Sequence, residues 1–104
     1  MLLRDEVAIC PVIVQEILQG VVDDVHYETI KEQIDAIELI QADPLEAAIG
    51  AADLYRSLRK KGFVIRKAND CLIAWFAIHA NYPLFHNDRD FEIIAKHTAL
   101  KTIT

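Results

Sequence analysis

Glycine is scarce: three residues in 104 leave little for a phosphate-cradling loop, and no P-loop, GxGxxG or GxSxG spacing occurs. The two cysteines, Cys10 and Cys71, lie far apart and form no CxxC pair. They read as reduced, mostly buried thiols of a cytosolic protein rather than as a disulfide framework or a zinc site. Four histidines, His26, His79, His86 and His97, show neither HExxH nor any paired ligand spacing. No apolar run approaches the roughly 20 residues of a bilayer span. Charges at Arg4, Asp5 and Glu6 come too early for a signal-peptide core. A cytoplasmic protein without a membrane segment is the expectation.

Apolar side chains make up 53% of the chain and the formal net charge is −5, a composition that supports one packed domain over residues 1–104. The charge is unevenly spread. Residues 1–53 hold twelve acidic and two basic side chains, residues 54–104 four acidic and nine basic. Arg56, Arg59, Lys60, Lys61, Arg66 and Lys67 fall in one acid-free stretch. Such a patch attracts a polyanion locally even in an acidic protein. For Arg56 to Lys61 the simpler reading is a helix C-terminus, whose dipole favours cations.

The periodicity alternates between strand and helix. Val7 to Cys10 reads as a buried strand, and Pro11 opens a helix that stops at Gly20. Asp23 and Asp24 start a second helix with Val25, Ile30, Ile34 and Ile37 on one face. Leu39 to Ala42 reads as a short strand. Asp43 caps and Pro44 opens a third helix, which ends at Lys61-Gly62. Asn69 caps an apolar helix from Asp70 to about Ala80, broken by Asn81-Tyr82-Pro83. Leu84 and Phe85 start a strand, Asp88 to His97 a helix, and Ala99 to Ile103 a last strand. This order predicts an α/β fold with a mostly parallel sheet and helices on both faces.

In open parallel sheets ligands bind beyond the carboxyl ends of the strands, here Pro11 to Glu16 and Asn87 to Asp90. Glu16, Asp70, Asp88 and Asp90 all stand at such ends or at helix starts. Clustered carboxylates suit Mg²⁺, which takes oxygen ligands in octahedral geometry and can activate water for phosphodiester hydrolysis. Each acid also has a plainer role. Asp70, Asp88 and Asp90 could serve as helix-start acids, and Glu16 could face solvent beside Gln15 and Gln19. His86 is the one histidine placed near Asp88, and alone it reads as a partly buried polar side chain.

The run NDCLIAWFAIHANYPLFHNDRDFEII, Asn69 to Ile94, resembles the C-terminal signature of PIN domains in bacterial VapC-type toxins. AICPVIVQEILQG looks like the second strand and Glu-bearing helix of that family, and AADLYRSLRKKG like the helix before the signature. The resemblance implies a three-layer α/β/α, Rossmann-like fold and Mg²⁺- or Mn²⁺-dependent endoribonuclease activity. It further implies frequent homodimers and a small antitoxin protein as partner. Residue by residue, Glu16, Asp70 and Asp88 match three of the four metal-site acids, and Asp90 an assisting one. Arg66 and Lys67, just before Asp70, are then placed to steer the RNA substrate.

One departure stands out. The family opens with a central strand ending in its first catalytic Asp, whereas this chain opens at MLLRDEVAI and Asp5 follows no strand. The N-terminally incomplete pattern leaves two inner strands with unpaired backbone groups. Either the chain is a fragment of an active ribonuclease, or it is a weakly active or inactive module that works through protein–protein contacts with antitoxin or a second copy. A receiver-type domain also uses strand-end acids but needs a Lys near its last strand, for which Lys101 is a weak match.

Overall fold

The computed structural model describes residues 8–86 and 88–103. Val7 and Asp5 lie outside the described residues, as does Asn87. The chain divides after Gln41 into two compact units.

In the first unit, β1 (Ala8–Ile9) leads into α1 (Pro11–Gln19), α2 (Asp24–Asp35) and β2 (Glu38–Leu39). Pro11 takes the first helical position of α1, where its missing N–H costs nothing. The Asp23 carboxylate accepts the His26 N–H at 3.1 Å and so caps α2. β1 and β2 pair in parallel, with Ile9 opposite Leu39. Ile9, Cys10 and Ile40 are buried. The second strand thus ends at Leu39, before the expected Ala42. Ala42 instead precedes Asp43, which is committed to capping the next helix.

In the second unit, α3 (Pro44–Lys60) and α4 (Ala68–Ala80) are followed by β3 (Leu84–Phe85), α5 (Arg89–His97) and β4 (Thr102–Ile103). Asp43 accepts the Glu46 N–H at 2.9 Å, and Gly62 supplies the positive φ of 95° that ends the α3 turn. α3 packs along α4. Gly50 makes this close approach possible, because a methyl group there would overlap the indole of Trp75. α4 buries Cys71, Ile73, Ala74, Phe76 and Ala77, as its all-round hydrophobicity implies. It begins at Ala68, two residues before the predicted start. Its N-cap is Lys67 rather than Asn69, and no side chain caps it. Asn81 closes it in the left-handed conformation, φ 59°.

β3 pairs in parallel with β4, Leu84 opposite Thr102. The parallel pairing expected from the sequence is present as two separate two-stranded ladders among the described residues. No helix among the described residues is long and apolar enough to cross a membrane.

Candidate active site

Three of the sequence-selected acids lie in the second unit, at the starts of α4 and α5. Asp70 stands in the first turn of α4 with 6% of its surface exposed, and Asp90 in the first turn of α5 with 4%. Asp88 is the N-cap of α5, and its Oδ1 accepts the Asp90 N–H at 2.9 Å. The helix dipoles favour a negative charge at each of these positions. Capping therefore accounts for Asp88 in part, whereas Asp70 and Asp90 stand inside the first turns of their helices rather than at the N-cap.

Asp90 serves the connector before α4. Its Oδ2 accepts the backbone N–H of Arg66 at 3.2 Å and the Arg66 Nε–H at 3.3 Å. The same guanidinium brings Nη2 to 3.8 Å from Asp88 Oδ1. Arg66 thus bridges Asp88 and Asp90 while its own side chain stays largely exposed. One guanidinium shared by two carboxylates leaves that group with a net negative charge. Lys67 is exposed at the N-cap of α4.

Cys71 reports on the same neighbourhood. Burial, with Asp70 and then Asp90 adding to it, pushes its thiol up to about 11. The thiol therefore stays protonated and is a poor nucleophile. Cys10 behaves similarly in the first unit: burial raises its pKa against the lowering effect of the Ile13 and Val12 amides. The Glu16 carboxylate adds to that rise from α1, where Glu16 itself is exposed.

His86, read from the sequence as a partly buried polar side chain near Asp88, is buried beside these acids. It follows β3, is 9% exposed, and lies 5.2 Å from the Phe91 ring, centroid to centroid. Its Nδ1 accepts the backbone N–H of Asp88 at 2.9 Å. The two-residue separation was the available signal, although nothing in it indicates which ring nitrogen turns inward.

The arrangement can hold a positive group on oxygen. Arg66 already plays that part for Asp88 and Asp90, a stand-in for the hard cation that carboxylates prefer. Among the described residues no three His, Cys, Asp or Glu side chains converge closely enough to hold a metal ion. The donor set, carboxylates at the starts of α4 and α5, fits a divalent cation in kind.

Comparison with known proteins bears on the family and the fold. The PIN domain family model matches residues 1–97. The chain is 36% identical over 95 residues to VapC ribonuclease Mb1587 of Mycobacterium bovis, covering 91% of this chain and 71% of the relative. It is equally similar to ribonuclease VapC11 of Mycobacterium tuberculosis. Among solved structures, VapBC2 from Rickettsia felis, bound to a DNA fragment from its promoter, superposes with a TM-score of 0.73. That match covers 92% of this chain and 72% of the other at 23% identity, a likeness of fold. Short parallel strands, helices that begin in buried aspartates and a sequence match along nearly the whole length lead to one assignment: the chain belongs to the PIN domain family.

Proposed function

We propose that the protein is a metal-dependent endoribonuclease, the toxin of a toxin–antitoxin pair. The observation that carries this reading is the 36% identity to VapC ribonucleases across 91% of the chain. Asp70 and Asp88 would hold Mg²⁺ or Mn²⁺, and Glu16 is the third acid that the family resemblance selects. A bound divalent cation supplies positive charge to the phosphodiester as it is hydrolysed. The chain's own residues prepare that event. Asp70 and Asp88 present their carboxylates at the helix starts, Asp90 anchors the Arg66 backbone, and the exposed Arg66 and Lys67 side chains receive the RNA backbone. An antitoxin protein is the expected partner, a homodimer the expected assembly and the cytoplasm the expected location.

The test is cleavage of a mixed-sequence RNA with Mg²⁺, Mn²⁺ or EDTA. Asp70→Asn, Asp88→Asn and Glu16→Gln should each slow cleavage by roughly tenfold or more. Full activity of Asp70→Asn, or activity indifferent to EDTA, would overturn the reading.

A second reading is a catalytically weak PIN module acting through protein contacts. It draws on Arg66, which occupies the Asp88–Asp90 carboxylates that a cation would need. Mg²⁺ titration followed by thermal unfolding separates the two, since a protein that binds the cation only when folded gains stability with concentration. The interaction module should show no such gain.

A further inference from the structure

We infer that His86 is a positioning residue that aims the Asp88 carboxylate by holding its backbone. The inference rests on the reading of Asp88 as a site acid.

Both sides of the His86 ring are accounted for. A backbone N–H can only donate, so the 2.9 Å contact from Asp88 requires a lone pair on His86 Nδ1 and places the ring proton on Nε2. Nε2 is buried and has no hydrogen-bond partner among the described residues. A buried donor without an acceptor opposes folding, so packing against Phe91 alone would favour phenylalanine or leucine here. What histidine adds is an acceptor at Nδ1.

That acceptor sits in a chain of contacts that ends on the acids. The His86 N–H donates to Ile103 O at 3.2 Å, which ties the His86 backbone to β4. The ring fixes the Asp88 amide, the Asp88 side chain takes the Asp90 N–H, and Asp90 holds Arg66. Asp88 has extended backbone, φ −133° and ψ 134°, so no α5 hydrogen bond restrains its amide. With Nδ1 removed, that amide loses its acceptor, and the carboxylate three bonds from the amide nitrogen keeps only its own contacts to the Asp90 N–H and Arg66. Groups that orient a metal ligand in this manner typically change metal affinity 10–100-fold when lost, a scale of about one to two decades.

The experiment uses the full chain and four variants. His86→Phe keeps the ring on Phe91 and removes the acceptor. In His86→Asn the amide oxygen can take the place of Nδ1, whereas in His86→Gln it reaches the place of Nε2. Asp88→Asn is the control for the underlying reading. Three quantities are measured: Mn²⁺ affinity by calorimetry, RNA cleavage, and the Asp88 amide proton shift in metal-free protein.

The expected result is an upfield Asp88 amide in His86→Phe and His86→Gln, with Mn²⁺ affinity and cleavage down by about tenfold or more. His86→Asn should remain close to the parent in all three. Parent-like Mn²⁺ affinity and cleavage in His86→Phe overturn the inference, as do equal losses in His86→Asn and His86→Gln. If His86→Phe does not fold, the Asn and Gln pair decides. Should Asp88→Asn bind Mn²⁺ and cleave RNA normally, the reading of Asp88 falls. If Asp88→Asn loses both while His86→Phe loses neither, only the role of His86 falls.

Discussion

Asp88 and Asp90 are two residues apart and do different work. Asp90 is nearly fully buried and accepts two hydrogen bonds from Arg66, one from its backbone and one from its side chain. Asp90→Ala would leave both donors without their acceptor, and urea unfolding should show a loss of about 1–3 kcal/mol. Asp70→Asn should slow cleavage on the ribonuclease reading. Cys71 gives a pH signature. Its folded thiol ionises near 11 against an ordinary value of 9.0, so the unfolded chain releases that proton first. The stability this confers is complete below pH 9 and falls away as pH rises to about 11. The difference in urea midpoint between parent and Cys71→Ala should shrink or reverse across that window, and the parent thiol should resist alkylation until the chain unfolds.

At the scale of elements, the α3–α4 contact is the most extensive described. Gly50→Ala would force the Trp75 indole out of place or part the two helices, a cost of about 1–3 kcal/mol that thermal unfolding would register. The helix boundaries set by side-chain chemistry could be read from sequence: Asp23, Asp43 and Asp88 cap where Asp should, and Gly62 and Asn81 stop the chain with positive φ. α4 was misjudged because its true start carries no capping side chain, while Asn69-Asp70 just inside it mimic a cap. The placement of three acids at helix starts was equally legible. The Arg66 bridge was not, because its partners lie 24 and 22 positions along the chain and no local pattern links them. Arg66 looked like a steering cation, and the fold also makes it a clamp.

For the whole molecule, charge separates along the chain. Residues 1–41 carry nine acidic and two basic side chains, and residues 42–104 carry seven and nine. On the ribonuclease reading, RNA should meet the second unit, and the KM for RNA should rise with KCl as screening grows. Removing one phosphate contact through Lys67→Ala should reduce the slope of log KM against log salt by roughly one. Cleavage at saturating RNA should change little, since such a contact aids binding rather than the chemical step. Of the buried apolar residues described, Ile9, Cys10 and Ile40 belong to the first unit and the other twelve to the second. The acids of α4 and α5 are therefore set in the better-packed part of the chain.

The β3–β4 ladder gives the C-terminal strand a role at a distance. The N–H groups of Leu84 and His86 both donate to it, to Lys101 O at 2.8 Å and Ile103 O at 3.2 Å. A single opening of that strand would release the two amides together, so they share one exchange event with solvent. Every such opening also releases the His86 backbone, whose ring accepts the Asp88 N–H. If His86 aims Asp88 as inferred, weakening residues 101–103 would shorten the lifetime of that clasp without touching any acid.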